Sequence, residues 1–344
     1  MTGAPVRTAV VGLGYWGPNL VRVLHEIPDA EVLWICDLDA DAVERVRRRF
    51  PAVRTTTDLG DVLADDAVEA VAIATPVSSH AALATEVMAA GRHAFVEKPL
   101  AGAYDEAHEI VEIARARNLV LMPGHTFLYS PPVTLSRRII ASGDLGDVYF
   151  VSTSRVNLGL HQPDASVVWD LAPHDFSILR YWLGEVPIRV AAMSRACIFE
   201  GTPDVAFINL QFPSGTVAHV ELSWLAPSKL RRTAVVGSRK MLVYDDTSNE
   251  PVRIFDSGAD LPDPGTFGEY RLTYRTGDIV SPRLDVAEPL ALELIDFCRA
   301  VRTGSAPKSS AEVGLDVVTM VEAVDRSLAA GGAPVDIDAV AVAE

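Results

Sequence analysis

The chain has 344 residues, with 30 Lys and Arg against 46 Asp and Glu, which gives a formal net charge of −16. An acidic surface repels polyanions, so nucleic acids and anionic membranes are both disfavoured as partners. Hydrophobic residues make up 49% of the chain, which is enough for packed cores. At roughly 100 to 200 residues per domain, the length predicts two domains.

Cysteine usage and the apolar runs indicate the compartment. Apolar runs are shorter than the roughly 18 to 20 residues of a membrane span, and the start of the chain lacks the order of a signal peptide, so we expect a cytoplasmic protein. The three cysteines, Cys36, Cys197 and Cys298, are far apart and lack metal-ligand spacing. They are interpreted as small buried side chains, and neither disulfides nor a metal site is expected.

The first part of the chain alternates β-rich runs with helical stretches, which predicts a parallel sheet covered by crossover helices. The near-continuous apolar run at 68–74 is typical of a central strand that is covered on both faces. Pro123 and Gly124 end this α/β domain. The predicted strands are 6–11, 31–36, 68–74, 93–96 and 119–122, and the predicted helices are 16–27, 40–50, 80–90 and 104–117.

Beyond Gly124 the pattern changes. The stretch 188–274 is a series of short strands separated by Pro, Gly, Asp and Asn turns, which predicts a largely antiparallel sheet in an α+β domain. The Gly- and Pro-rich segment 257–268 is expected to be an exposed loop. The predicted helices of this part are 132–142, 174–183, 289–302 and 311–329.

A glycine motif, Gly12-Leu13-Gly14-Tyr15-Trp16-Gly17, follows the first strand and opens the first helix. Gly12 allows the tight turn, Gly14 lets the backbone approach a pyrophosphate, and Gly17 permits close packing of the helix on the strand. The free N–H groups of the helix N-terminus attract the anion. In this context the motif indicates a dinucleotide site rather than ordinary turn glycines.

Asp37 strengthens this interpretation, because it ends the second strand 20 residues after Gly17. A carboxylate there accepts hydrogen bonds from the adenine ribose hydroxyls and repels a 2′-phosphate, so NAD is expected rather than NADP. The alternative is that Asp37 only caps a helix. The arginines of the following helix could clamp a 2′-phosphate, but a solvated helical face is favoured for Arg45, Arg47, Arg48 and Arg49.

Two further segments carry candidate catalytic groups. Glu97-Lys98-Pro99 follows a strand of the parallel sheet, which places Lys98 in the crevice where ligands of α/β proteins bind. In the second segment Asp170 is predicted to cap a helix whose first turn tolerates Pro173. Asp170 and His174 are four residues apart and therefore share one helical face.

These residue types suit the oxidation of an alcohol. The reaction needs a base for the hydroxyl proton and a cation for the developing alkoxide, which His174 and Lys98 can supply. Asp170 would orient the imidazole or the substrate hydroxyl. The alternatives are that His174 is only a hydrogen-bonded histidine behind a capping aspartate, and that Lys98 only pairs with a carboxylate such as Glu97.

Taken together, the motifs resemble the glucose-fructose oxidoreductase/inositol dehydrogenase/MocA (Gfo/Idh/MocA) family over nearly the whole chain. The Glu-Lys-Pro tripeptide with the downstream Asp/His pair is the most specific part of the match. The matching residues are Gly12 to Gly17, Thr75-Pro76 with His80, Glu97-Lys98-Pro99, Asp170, His174, Trp224, Lys229 and Val236-Gly237.

The resemblance implies an NAD-binding Rossmann domain at residues 1–123. A substrate-binding and oligomerisation domain with an open, mostly antiparallel sheet would follow at 124–344, and homodimers or homotetramers are expected. The resemblance also implies Lys98, Asp170 and His174 as catalytic residues. The residues expected to bind the cofactor are Gly12, Gly14, Tyr15, Trp16, Gly17, Asp37, Thr75, Pro76, His80, Glu97 and Lys98.

Members of the family oxidise or reduce a ring carbon of sugars, inositols or nucleotide sugars. Phe127 and Leu128 stand where many members carry an arginine, so an anionic group held by that arginine is not expected. Several segments are similar to a branch of nucleotide-sugar and antibiotic-sugar enzymes, which includes UDP-sugar 3-dehydrogenases. The residues expected to contact the substrate are Lys98, His125, Tyr129, Arg155, Asn157, Asp170 and His174.

The predicted activity is therefore hydride transfer between NAD and a sugar ring carbon, most readily C3 of a nucleotide-linked or otherwise activated hexose. One alternative is a redox-neutral lyase, epimerase or glycosidase that regenerates its NAD. Another is a non-catalytic NAD-sensing regulator, which the intact set of Lys98, Asp170 and His174 disfavours. For Arg155 alone, the alternative is an exposed strand residue.

Overall fold

A computed structural model describes residues 4–159, 165–260 and 273–337 of the chain. Contacts divide the chain into two compact units, residues 1–130 with 287–319, and residues 131–286 with 320–344. Residues 287–319, which the sequence analysis assigned to the second domain, thus pack within the first unit. As a division between cofactor and substrate domains, the boundary after residue 123 stays a prediction.

The strands of the described residues form two sheets, one in each unit. In the first unit the strands are β1 (Val6–Val11), β2 (Ala30–Cys36), β3 (Arg54–Thr56), β4 (Ala70–Ile73), β5 (His93–Glu97) and β6 (Leu121–Gly124). In the second they are β7 (Val148–Leu158), β8 (Arg189–Arg195), β9 (Val205–Gln211), β10 (Val217–Ser223), β11 (Leu225–Gly237), β12 (Met241–Asp245), β13 (Val252–Asp260), β14 (Thr273–Val280) and β15 (Val335–Asp336).

The α-helices connect these strands and close the chain. They are α1 (Gly17–Glu26), α2 (Ala40–Arg47), α3 (Leu59–Leu63), α4 (His80–Ala89), α5 (Tyr104–Arg117), α6 (Pro131–Ala141), α7 (Val167–Leu183), α8 (Pro289–Thr303) and α9 (Ala311–Ala329). Among the helices of the described residues, none is long and apolar enough to cross a membrane.

The first unit contains the predicted parallel sheet, with strand order β3-β2-β1-β4-β5-β6. All four residues of β4 are buried, as a central strand covered on both faces requires. Strands β1 to β3 extend the sheet in one direction and β4 to β6 extend it in the other, so the strand order reverses between β1 and β4. Ligands of such sheets bind at this point, outside the carboxyl ends of the strands.

The second unit contains a nine-stranded sheet, with strand order β14-β13-β12-β11-β7-β10-β9-β8-β15. Only β7 and β10 pair in parallel, and every other described pair is antiparallel, which confirms the prediction of a mostly antiparallel sheet. Alternate residues of β9, namely Ala206, Ile208 and Leu210, are buried, so one face of this strand lies against the core. Helix α7 packs against β7, β9 and β10.

Helix α7 begins seven residues before the predicted start. Ser166 is its N-cap and accepts a hydrogen bond from the Trp169 N–H, so the predicted capping role of Asp170 is wrong. Pro173 lies inside the helix rather than in its first turn. The first helical residues, Val167 and Val168, are fully buried, and such tertiary packing is not visible in local helix propensity.

Three smaller features of the structure differ from what was predicted. The short elements β3 and α3 were not predicted, because a run of three to five residues carries almost no periodicity. Residues 257–260 belong to β13 rather than to a loop, and 261–268 lie outside the described residues. Cys197 is exposed, whereas Cys36 and Cys298 are buried as expected.

Candidate active site

The glycine motif lies at the carboxyl end of β1, and two of its glycines are required by the fold. Gly12 has φ +90°, and a Cβ there would lie 2.6 Å from the Ala74 carbonyl. A Cβ on Gly17 would lie 1.9 Å from the Gly12 oxygen. A Cβ on Gly14 would meet no protein atom within 4 Å, so packing does not explain this glycine. Close approach of a ligand would explain this glycine, and the expected ligand is the pyrophosphate of a dinucleotide.

The two aromatic residues of the motif differ in exposure. Tyr15 is largely exposed, whereas Trp16 is half-buried and carries the N-cap position of α1. Their rings stack with centroids 6.5 Å apart. The motif therefore presents an aromatic surface beside the free N–H groups of the helix.

Asp37 directly follows β2 and connects this strand to the glycine motif. Its Oδ2 accepts a hydrogen bond from the Leu13 N–H at 2.5 Å, and its Oδ1 accepts one from the Asp39 N–H at 2.8 Å. The cap of α2 is Asp39, so the alternative that Asp37 serves as that cap is wrong. The Asp37 carboxylate is partly exposed and retains acceptor capacity for ribose hydroxyls.

Arginines that follow Asp37 form ion pairs with acidic residues of the same helix or of its N-cap. Arg47 and Arg48 both donate to Glu44, and Arg45 lies 3.7 Å from Asp39. All three arginine side chains are at least half exposed. This arrangement agrees with the favoured interpretation of a solvated helical face.

His80 joins the loop after β4 to the loop after β5. Its side chain is 1% exposed, with Nε2 at 2.8 Å from the Thr75 carbonyl oxygen and Nδ1 at 2.8 Å from the Pro99 carbonyl oxygen. Burial lowers the pKa of His80, so the ring is neutral and donates its single N–H to one carbonyl at a time. Thr75 and Pro76 lie at the more accessible rim of the first loop.

Lys98 stands directly after β5, at the carboxyl edge of the sheet, and the Lys98–Pro99 peptide bond is cis. The preceding residue, Glu97, is a perturbed acid. Burial raises the pKa of Glu97 to about 7, while the Lys98 ammonium and the Trp16 indole act in the opposite direction. Around neutral pH the charge beside Lys98 therefore depends on whether Glu97 holds its proton.

A second buried carboxyl, Glu293 of α8, belongs to the same unit. Its side chain is fully buried, and its Oε2 accepts a hydrogen bond from the Thr126 hydroxyl at 2.6 Å. Burial and the nearby Glu97 raise the pKa of Glu293 well above its usual value. Glu293 is not recognisable from the sequence, because a lone glutamate in an amphipathic helix resembles any other surface residue.

His125 and Tyr129, which were expected to contact the substrate, are both buried. The Tyr129 hydroxyl donates to Asp296 at 2.7 Å and accepts from the Ser309 N–H at 3.2 Å. Burial and the neighbouring Asp296 carboxylate raise the pKa of Tyr129. Tyr129 thus connects its loop to the segment that contains α8, and substrate contact by either residue stays a prediction.

In the second unit, Asp170 and His174 lie one turn apart on α7 and are both partly exposed. The Trp224 indole N–H donates to Asp170 Oδ2 at 3.2 Å. The Nδ1 atom of His174 is buried. The two side chains share a helical face as predicted, with Asp170 in the first turn of the helix and His174 one turn further along.

Arg155 and Asp175 form a buried ion pair between β7 and α7. Arg155 is 3% exposed, and its Nε and one terminal nitrogen donate to the Asp175 carboxylate at 2.6 and 3.1 Å. The Thr153 hydroxyl also donates to Asp175, at 3.2 Å. The alternative that Arg155 is an exposed strand residue is therefore wrong. Its contact with a substrate stays a prediction, since one edge of the guanidinium is already used by Asp175.

Asn157 lies near the end of β7 and is partly exposed, with its amide donating to the Leu158 carbonyl at 3.2 Å. Of the predicted substrate residues in the second unit, Asn157, Asp170 and His174 have accessible side chains. Within the described parts of the chain, the His, Cys, Asp and Glu residues form no group of three suited to a metal ion.

The two units carry different chemical groups. The first unit places a dinucleotide cradle, the Asp37 carboxylate and the Lys98 ammonium along the carboxyl edge of one parallel sheet. The second unit places an imidazole and a carboxylate on one face of a helix. These are the groups needed for cofactor binding, charge stabilisation and proton transfer.

Comparison with known proteins identifies both parts of the chain. Residues 6–125 match the oxidoreductase family with an NAD-binding Rossmann fold, and residues 133–243 match the GFO/IDH/MocA C-terminal domain. The structure of GenD2 from gentamicin A biosynthesis, solved in complex with NAD, is similar with a TM-score of 0.82 at 25% identity. That similarity covers 98% of this chain and 97% of GenD2.

Relatives with named activities include a sugar-nucleotide dehydrogenase and a hydratase. The UDP-N-acetylglucosamine 3-dehydrogenase of Acidithiobacillus ferrooxidans is 28% identical over 86% of this chain and 88% of its own, and its structure superposes with a TM-score of 0.79. The 2,7-anhydro-N-acetylneuraminate hydratase of Escherichia coli is 24% identical over 63% of this chain and 61% of its own.

Proposed function

Since the chain belongs to the Gfo/Idh/MocA family of oxidoreductases with an NAD-binding Rossmann fold, we propose that it is an NAD-dependent sugar dehydrogenase or ketoreductase. Its substrate is a nucleotide-linked or otherwise activated hexose, which reacts at C3. The proposed catalytic activity rests on the position of Asp170 and His174 on one face of α7. The similarity to the UDP-N-acetylglucosamine 3-dehydrogenase over most of both chains supports the substrate class.

The glycine motif and Asp37 would hold NAD, which would supply the hydride acceptor for the substrate carbon, or the hydride donor in the opposite direction. In the direction of oxidation, His174 accepts the hydroxyl proton, and it does so at Nε2 because its Nδ1 is buried. The Lys98 ammonium stabilises the negative charge that develops on the substrate oxygen. Asp170 orients the imidazole and stabilises it once it is protonated. In the opposite direction the same groups return the proton to a ketone oxygen.

The proposal is tested by mixing the protein with NAD⁺ and a panel of nucleotide sugars, free sugars and inositols while NADH absorbance is recorded. We expect one activated hexose to give NADH. His174→Ala and Lys98→Met should each lose most turnover while NAD binding persists. The control variant His108→Ala, a change on helix α5, should keep normal turnover. Unchanged turnover in His174→Ala would contradict the assigned role of His174.

A redox-neutral reaction is a second candidate, and the similarity to the Escherichia coli hydratase favours keeping it. In such a reaction, transient oxidation of one carbon acidifies its neighbour and allows elimination before the cofactor is restored. Product formation that requires NAD⁺ but yields no net NADH would select this candidate. NAD binding without conversion of any compound, in either direction, would instead favour a sensing protein.

A further inference from the structure

Trp224 lies in a fixed position between the ends of two strands and helix α7. It is 1% exposed and stands directly after β10. Its backbone N–H donates to the Asp204 carbonyl at 3.0 Å, and its carbonyl accepts from the Gly159 N–H at 2.9 Å. The backbone of Trp224 is thus held from both sides, so its indole has little freedom to move.

Gly159 determines where that indole sits. A Cβ at position 159 would lie 2.2 Å from Trp224 Cδ1 and 2.6 Å from its Cγ. These atoms belong to a rigid buried ring, which cannot shift without leaving its site. Gly159 is therefore required because the indole occupies the place where any other side chain would begin.

The indole N–H in turn points at a candidate catalytic group. Trp224 Nε1 donates to Asp170 Oδ2 at 3.2 Å, so it restricts the rotation of the carboxylate and sets the direction in which Oδ1 points. Hydrogen bonds to charged acceptors are stronger than those between neutral groups. A carboxylate that must orient the imidazole on the next turn gains from such a restraint.

We propose that Trp224, seated by Gly159, is a positioning residue that orients the Asp170 carboxylate for the reaction. The inference rests on the proposed function, because it assigns a task to Asp170 that matters only if Asp170 takes part in turnover. Trp224 itself does not act on the substrate in this proposal. It acts through Asp170, and its effect on catalysis should disappear when that carboxylate is removed.

Trp224→Phe is the first variant, since it keeps most of the ring and removes the N–H donor. We expect kcat to fall by about tenfold to a hundredfold, the range that corresponds to a lost hydrogen bond to a charged group. The dissociation constant for NAD should stay the same, because the dinucleotide cradle belongs to the first unit.

Trp182→Phe is the matched control. Trp182 is also fully buried in the second unit, and its indole N–H donates to the Val133 carbonyl at 2.9 Å rather than to a catalytic candidate. Both substitutions delete one buried donor, so both should lower Tm. Only Trp224→Phe should lower kcat. Equal losses of kcat in the two variants would overturn the positioning role, since general destabilisation would then explain both.

A double-mutant cycle with Asp170→Ala gives the decisive readout. Under single-turnover conditions, Trp224→Phe should reduce the rate in the wild-type background and leave the residual rate of Asp170→Ala unchanged. Additive losses would overturn the positioning role while leaving the proposed function intact. Full turnover in Asp170→Ala would instead overturn the assigned role of Asp170, and this inference with it. If Trp224→Phe fails to fold, Gly159→Ala takes its place in the cycle with the same expected outcomes.

Discussion

Buried ionisable groups concentrate around the carboxyl end of β5. Glu97 and Glu293 are both withdrawn from water in the first unit, and the charge of Glu97 raises the cost of ionising Glu293. His80 is buried beside the same loop and kept neutral. Lys98 thus stands beside His80, which is neutral, and beside Glu97, whose ionisation changes around neutral pH.

The raised pKa of Glu97 makes stability depend on pH. Its folded pKa of about 7 exceeds its usual value of 4.5, so between these values the native state holds a proton that the unfolded chain has released. The contribution of Glu97 to the free energy of unfolding therefore falls as pH rises from about 4.5 to about 7. The free energy of unfolding of the Glu97→Gln variant should not show this decline.

Urea unfolding of wild type and Glu97→Gln at a series of pH values between these limits and above them measures the effect. The free energy of unfolding of Glu97→Gln, taken relative to that of wild type, should increase as pH rises, and this difference should level off above pH 7. Glu112→Gln, which changes an exposed glutamate of α5, serves as the control and should run parallel to wild type. A pH-independent difference between Glu97→Gln and wild type would contradict the burial argument.

His80 supports a second expectation at this scale. His80→Phe removes the ring nitrogens that meet the Thr75 and Pro99 carbonyls, so the loops after β4 and β5 lose their connection. We expect a loss of about 1 to 3 kcal/mol in the free energy of unfolding. We also expect kcat to fall by about tenfold to a hundredfold, because Lys98 is displaced.

His93→Phe provides the comparison for His80→Phe. His93 also lies in the first unit and accepts one hydrogen bond from the Val120 N–H at 2.8 Å, but it stands at the opposite end of β5. Its replacement should lower Tm without changing kcat. A normal kcat in His80→Phe would show that the two loops keep their positions without the imidazole.

At the scale of elements, the buried pair of Arg155 and Asp175 attaches α7 to β7. Asp175 directly follows His174, so this ion pair anchors the turn of the helix that carries the candidate base. This ion pair is directional, because its two hydrogen bonds restrict both the rotation and the translation of the helix. Apolar contacts between the same elements would allow more sliding.

Breaking this pair from one side should be costly. Arg155→Met leaves the Asp175 carboxylate buried without its counter-charge, and we expect a loss of about 3 to 5 kcal/mol. The double variant Arg155→Met with Asp175→Leu should be less destabilised than Arg155→Met alone. Arg189→Met, which removes one partner of the exposed pair with Asp336, should cost only about 0 to 1 kcal/mol. Urea unfolding of wild type, Arg155→Met, the double variant and Arg189→Met tests this order of stability. A double variant that is less stable than Arg155→Met would refute it.

At the scale of the whole molecule, the chain leaves its first unit after residue 130 and returns to it at residue 287. The returning segment contributes Phe297, whose ring contacts Phe95 edge-on at 5.7 Å between centroids. Gly314 of α9 approaches Leu100 and Pro123 so closely that a Cβ would lie 2.9 Å from each. The core of the dinucleotide-binding unit is therefore incomplete until the chain has been made almost to its end.

A fragment of residues 1–130 should consequently fail to fold, because it exposes the apolar surface that 287–319 covers. Joining the two segments through a flexible glycine-serine linker should restore cooperative unfolding. NAD should then raise the Tm of the joined protein, as a ligand of the native state does. Cooperative unfolding and NAD binding by the 1–130 fragment alone would contradict this expectation.

Structural features that depend on residues close together in the chain could be predicted from the sequence itself. The alternation of strands and helices, the buried run of β4 and the glycine motif with Asp37 all depend on residues within one supersecondary unit. The parallel first sheet, the mostly antiparallel second sheet and the NAD cofactor were therefore predicted correctly. The pairing of Asp170 with His174 on one face is equally local, since it follows from the helical repeat.

Features that depend on distant partners were decided by the tertiary structure. The start of α7, the burial of Arg155 against Asp175, and the return of α8 to the first unit each join residues whose contact leaves no periodic trace in the sequence. The same holds for Glu293 near Glu97, because burial and desolvation are properties of the assembled core. Local spacing determines which elements form, whereas packing decides which charges they bury and which side chains remain available for chemistry.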